Sequence, residues 1–315
     1  MKVFIKNILL SFLLVCSTTC IYACGESNKT DAAPQIINPL QYGLNDAKTG
    51  EERFYVLQRT HEEAKKLGVG VSYEGIDEIN IVIPKGASSI PITHYTDFAG
   101  VKLNVENQQN SIYLFSLTSK LLPVKVAGKE IDNGNFSKNS ILCHGVKLLM
   151  VKDKTPWVNK RKGHDYSLTR KDIMLVRNGK SSNGPVQSSC TLVSKPVAYY
   201  CDVAKEPQTV FKNVILYRTP NSMCKTYLVK IENHYDVELS DIKIFTPQDS
   251  ELYGDRAIHI LNCLKVAMKD VLINGTYSRG KDAEYGQKYG YGIALDNVYD
   301  FYQLVCTCKM GRFWE

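Results

Sequence analysis

The chain has no Gly-x-Ser-x-Gly elbow, no phosphate-binding P-loop, no zinc-ligand spacing and no Cys-x-x-Cys pair. Those gaps remove the short-motif signatures of α/β serine hydrolases, nucleotide-driven enzymes and structural zinc modules. It has no long apolar run either: Ile8 to Val15 is too short to span a bilayer and has the size of a signal-peptide core. Charge of one sign is scarce. Lys+Arg 39 against Asp+Glu 32 gives a net of +7, an excess that reads as thinly spread, hints only weakly at an anionic partner and does not mark nucleic acid. With 315 residues, 44% hydrophobic and 23% charged, the sequence has the composition of a folded soluble protein. Disordered, collagen-like and polytopic membrane chains are excluded on the same numbers.

The N-terminus carries an export signal. Lys2 and Lys6 precede the apolar run, and Cys16, Cys20 and Cys24 follow it. Ile21-Tyr22-Ala23-Cys24 resembles a bacterial lipobox, in which the Cys is lipidated and becomes the new N-terminus; ordinary secretory cleavage is the alternative. The expectation is a signal over 1–24, lipidation at Cys24 and a polar tether over 25–46. Membrane contact would then be through the lipid only, at the surface or in the periplasm of a Gram-negative bacterium. The later cysteines (143, 190, 201, 224, 263, 306 and 308) read as buried thiols, with room for one bridge among them.

One amphipathic helix is expected next. Phe54, Leu57, Ala64 and Leu67 share a stripe that includes His61; Glu51 and Glu52 open the segment, Lys65 and Lys66 close it, and Gly68 suits the C-cap. From Gly70 the pattern changes to period two, with strands at 79–83, 101–107 and 112–117 and many short ones after them. The body is predicted to be all-β.

An internal repeat sets the architecture. Asn233 to Ile244 aligns with Asn262 to Ile273 without a gap, and a third copy begins at Asn297, where Phe301 stands in the place of Val237 and Val266. Each Asn follows a strand (229–232, 258–261 and 293–296). Stacked in register, such coils bury their apolar residues, and each Asn turns a corner, tolerates the left-handed conformation and can bond to the next coil.

This repeat resembles the right-handed parallel β-helix proteins of the pectin-lyase-like superfamily. Ser89-Ile90-Pro91-Ile92-Thr93 followed by Asp97-Phe98-Ala99-Gly100-Val101 is similar to the entry segment of exported β-helix proteins of Gram-negative bacteria. The resemblance implies an all-β solenoid over 47–302 with the leading helix as an N-terminal cap. It implies a monomer associated with polysaccharide, without nucleic acid, and with no cofactor beyond Ca2+ held by carboxylates. Residues 303–315 lose the repeat register and are expected to be an irregular tail. A one-base shift in a back-translation can restore solenoid-like residues, so a frameshift near residue 303 and a native irregular tail both stand as explanations.

Chemistry is expected on the outward face of the repeated strand. Lys230, Glu232, His259 and Asp296 fall there. Gly254-Asp255-Arg256-Ala257-Ile258-His259-Ile260 looks like the Gly-Asp-Asp-x-Ile-x-Ile segment of β-helix polygalacturonases, with Asp255 kept and Arg256 in the second Asp place. Hydrolysis needs both carboxyls, so the loss disfavours it. A lyase instead needs a base and cations that stabilise a uronate enolate, roles open to His259, Arg256 and Lys230, with Asp255 among the catalytic candidates. Glu232, Asp296 and Tyr291 are candidate sugar-binding residues, Tyr291 through its aromatic loop with Tyr285 and Tyr289. A non-catalytic glycan-binding or adhesive surface protein, or an inactive truncated fragment, is the alternative. Asn178-Gly179 and Asn274-Gly275 read as turns, and Lys160-Arg161-Lys162-Gly163-His164 as a solvated basic loop.

Overall fold

A computed structural model describes residues 35–107, 112–158, 168–182, 196–203, 208–219, 226–245, 257–275 and 292–310. Alternation along each short strand leaves one side apolar, and parallel stacking buries it. On the first face, one ladder runs Ile37, Val71, Thr96, Phe211, Leu239, Met268 and Gln303. On the second it runs Ile79, Leu103, Leu216, Ile244, Ile273 and Cys308. The third carries Ile90, Phe115, Val229, Ile258 and Ile293. From Val71 to Met268, and from Ile79 to Ile273, every rung is buried. The chain is a three-faced parallel β-solenoid.

Two of its three corners are tight and use residues that accept a positive φ. Between the first and second faces stand Asn213 (φ 60°), Asp241 (φ 51°) and Asp270 (φ 50°). Between the third and first stand Asn233 (φ 64°), Asn262 (φ 50°) and Asn297 (φ 54°). Short polar side chains visit this region at low cost, as expected from the repeat. Connections of unequal length leave the remaining corner, after Arg218, Phe245 and Gly275.

Helix α1 (Gly50–Leu67) starts on a Thr49–Glu52 capping box and stops at Gly68, whose φ of 70° closes the C-cap. It packs on the strands Gly70–Ser72, Glu78–Ile83 and Ile90–Pro91 of an early coil, burying Phe54, Val56, Leu57, Thr60, His61 and Ala64. Leu67, placed on the stripe by its spacing, is instead exposed in the last turn. Below the helix the solenoid interior is aromatic: Phe98 stacks on Tyr73 at 4.6 Å and meets Phe115 and Phe211 edge-on at 5.1 and 5.0 Å. His61 reaches down to this cluster and bonds Tyr73 Oη at 2.8 Å.

The solenoid is not continuous over 47–302. Between Ser119 and Gln208 a second unit is inserted at the third-to-first corner, with an antiparallel five-stranded sheet and a short helix α2 (Gly128–Asn133). Its strands order as Lys180–Ser181, Leu168–Arg177, Val146–Val158, Pro196–Asp202, Leu122–Val124. Period-two patterning is common to parallel coils and antiparallel hairpins, so the sequence pattern did not separate them. One core of the insert joins Ile131, Phe136 and Leu142 to Leu149, Val151, Met174 and Val176. A second core docks it: Leu148, Ile173, Leu175, Cys201 and Val203 pack against Leu264, with Tyr235 and Tyr299 at the edge.

Two further expectations change. Asn178-Gly179 is a turn, but Asn274-Gly275 is not, because Ile258–Gly275 stays in strand and pairs with Ile293–Met310. Residues 303–310, expected to be irregular, also continue as strand, since Gln303 to Met310 keep parallel register with Met268 to Gly275.

Candidate functional site

Coil stacking gathers the outward side chains of the third face into two rows. One row is Ser116, Lys230, His259 and Ala294; the next is Thr118, Glu232, Leu261 and Asp296. Neighbouring strands lie about 4.8 Å apart, and diagonal side chains still reach each other. His259 Nε2 accordingly meets Asp296 Oδ2 of the next coil at 3.0 Å, and within one strand Lys230 Nζ meets Glu232 Oε2 at 2.8 Å. The four polar residues singled out from the repeat are therefore brought together.

His259 faces outward yet is only 6% exposed, while Asp296 remains open to solvent. Part of the cover is aromatic. Tyr113 and Tyr227 occupy register-matched positions on adjacent coils with ring centroids 4.8 Å apart, and Tyr113 lies 6.0 Å from the His259 ring. The alternation of single strands did not reveal this pair, because 113 and 227 are adjacent only when the coil between them is known to be interrupted by the insert. A register match of Ile112-Tyr113 to Thr226-Tyr227 would have shown it.

Asp255, Arg256, Tyr291 and the lipidation candidate Cys24 lie outside the described residues. Glu232 pairs with Lys230 and Asp296 with His259. Among the described residues no group of three His, Cys, Asp or Glu side chains converges to hold a metal ion. No helix among them is long and apolar enough to cross a membrane.

The corner beside this face is a hydrogen-bonded column. Asn297 Nδ2 donates to Asn262 Oδ1 at 2.9 Å, Asn262 Nδ2 to Asn233 Oδ1 at 3.0 Å, and Asn233 Nδ2 to the Ser119 carbonyl at 2.9 Å. Ser119 is where the insert leaves the solenoid, and its Oγ lies 3.2 Å from His234 Nε2. The insert therefore rises at the rim of the face that carries His259. Its contact is polar as well as apolar: Asp172 bonds the Tyr299 hydroxyl, and burial together with that carboxylate pushes the Tyr299 phenol up to about 12.

No family model matches the chain, and no curated protein matches it in sequence. Among solved structures it is similar to the tailspike gp61 of Pseudomonas phage phi297, with a TM-score of 0.47, 10% identity, and 85% of this chain covered against 46% of that one. It is also similar to the gp54 tailspike of Acinetobacter baumannii bacteriophage AP22, determined in complex with A. baumannii capsular saccharide, at TM-score 0.40 and 12% identity over 88% of this chain and 50% of that one. A candidate glycosyl hydrolase from Parabacteroides merdae aligns at TM-score 0.31 and 8% identity, over 87% of this chain and 97% of that one. The chain spans about half the length of the tailspikes it matches. The solenoid assignment itself rests on the strand registers.

Proposed function

We propose that this chain is an exported, polysaccharide-associated solenoid protein whose third face binds an acidic glycan. One observation carries the reading: stacking sets the Tyr113–Tyr227 pair beside His259, with Lys230 next to it in the same row. Aromatic rings offer an apolar surface to the C–H face of a sugar, and the neighbouring cationic and imidazole groups meet a uronate carboxylate. The N-terminal segment supports export with a lipid on Cys24, which would hold the binding face near a cell surface.

Calorimetric titration with polygalacturonate against neutral dextran tests the binding. Replacing both Tyr113 and Tyr227 by Ala is expected to weaken association about tenfold or more, in line with two lost aromatic contacts. Unchanged affinity rejects the site.

A lyase activity is a second reading, favoured by the His259–Asp296 hydrogen bond, which fixes the imidazole as general bases are fixed. In β-elimination His259 would take the C5 proton, the C4–O bond would break to leave a C4=C5 double bond, and the departing glycosidic oxygen would gain a proton. Ultraviolet absorbance of the unsaturated product reads this directly. His259→Gln should abolish it while binding persists; equal turnover by the variant removes His259 from the chemistry.

A further inference from the structure

The positive charge of the chain is not thinly spread. Residues 120–203, the inserted unit, hold fifteen Lys and Arg against six Asp and Glu, a net of +9, and the rest of the chain is left with −2 of the overall +7. The sequence read as a whole hides this, because the near-balanced solenoid dilutes it.

Within the insert the cations are placed against one another. Lys152 and Lys171 are direct cross-strand partners, and so are Arg177 and Lys180. Like charges directly opposite destabilise a sheet, where alternating sign would stabilise it. Lys138 lies in the segment that runs beside the second pair's turn: Phe136 N–H donates to the Gly179 carbonyl at 2.6 Å and Ser181 N–H to the Gly134 carbonyl at 2.8 Å. All five cations are exposed, and among the described residues none forms an ion pair with an acid. The one ion pair described within the insert is Lys147 with Asp202.

The two pairs lie on the same side of the sheet as Ile173 and Leu175, the side docked on the solenoid, one pair at each end of that strip. Lys171 and Arg177 are six positions apart, about 20 Å of strand. The strip between them is covered by Leu264, Tyr235 and Tyr299, so a linear polyanion that reaches both clusters runs along the outer edge of Leu168–Arg177, which among the described residues is paired only at Val176 and Arg177.

We infer that the insert is a second docking surface, for the extended chain of an acidic polysaccharide, held through the Lys152–Lys171 and Arg177–Lys180 pairs and Lys138. This rests on the polysaccharide reading of the third face but uses none of its residues. The insert holds the polymer by charge, next to the rim where the third face begins.

The test uses the full chain, polygalacturonate as probe, and a salt series. Two double variants, Lys152→Glu with Lys171→Glu and Arg177→Glu with Lys180→Glu, should each weaken binding about tenfold and flatten its salt dependence. Lys243→Glu, an exposed position on the second face of the solenoid, should bind as the parent does. Lys171→Gln supplies a neutral variant; relief of the like-charge pair should raise its Tm while binding falls, a combination that a structural role for Lys171 does not produce. Parental affinity in both double variants overturns the inference, as does equal retention of neutral dextran. Stronger binding to phosphatidylglycerol vesicles than to polygalacturonate, lost in the same variants, also overturns it in favour of a membrane surface. If the insert variants fail to bind while Tyr113→Ala with Tyr227→Ala binds normally, the third-face reading falls and the insert surface stands.

Discussion

Asn262 donates from Nδ2 to Oδ1 of Asn233, 29 residues earlier in the chain and directly above it in the stack, at 3.0 Å. Its own Oδ1 accepts from Asn297. The middle Asn thus contributes a donor, an acceptor and a tolerated φ of 50°. Asn262→Ala removes the first two and strains the third. Each net hydrogen bond is worth about 1 kcal/mol and the left-handed conformation about 1–2 kcal/mol for an ordinary residue. Chemical denaturation should show a loss of about 2–4 kcal/mol, with Asn262→Gly recovering the backbone share.

Burial lowers the imidazole of His61 to about 3 in the folded protein, against 6.5 for the free group. The unfolded chain therefore binds a proton that the native protein refuses. Stability is full above about pH 6.5 and falls as the pH drops towards 3, at up to about 1.4 kcal/mol per pH unit. His61→Gln keeps a partner for Tyr73 without titrating. Its urea midpoint should fall less than the parent's between pH 6.5 and 4.5; identical slopes would assign the acid sensitivity to other groups.

The phenol of Tyr299 behaves in the opposite range. The unfolded side chain ionises near 10, whereas the folded one keeps its proton to about 12. Its contribution is present below pH 10 and lost as the pH rises through 12. Tyr299→Phe should remove part of the alkaline destabilisation. Because Asp172 loses a donor at the docking strip, the insert should also be cut faster by limited proteolysis, with the two solenoid segments that flank it left uncut.

Burial pushes the Cys263 thiol up to about 12, and the side chain sits in the solenoid core with Sγ 3.3 Å from the Leu261 carbonyl. Thiolate is the reactive form. Maleimide labelling at pH 7.5, read site by site by mass spectrometry, should leave Cys263 and the buried Cys201 unmodified until urea unfolds the chain. Of the three described thiols, half-exposed Cys143 should label first. Early modification of Cys263 would mean that the core opens locally.

The solenoid was legible where the sequence repeats itself. The three Asn residues fixed the coil length, the corner conformation and the two rows that hold Lys230 and His259, and Glu232 and Asp296. What the repeat did not carry was the insert, because hairpins alternate with the same period as coils and the charge shift that begins after Ser119 is diluted in the whole-chain count. Its discovery depends on long-range pairing, Thr226 with Ile112 and Val210 with Tyr95, which closes the coil across more than 80 residues. Tyr113 escaped notice for the same reason. The aromatic interior around Phe98 was equally hidden, since inward positions say that a residue is buried but not which ring it meets.

The parallel register also acts as a ruler. Tyr113, Tyr227, His259 and Asp296 stand on four successive coils, each a fixed step of about 4.8 Å from the last, so the face is graduated over about 14 Å along the solenoid axis. A ligand lying along that axis is read at constant intervals, whatever the loops at the open corner do. Substituting a side chain changes what one mark recognises and leaves the spacing of the marks untouched. Under the polysaccharide reading proposed above, selectivity for a polymer's repeat length would be a property of the backbone, and selectivity for its substituents a property of single residues.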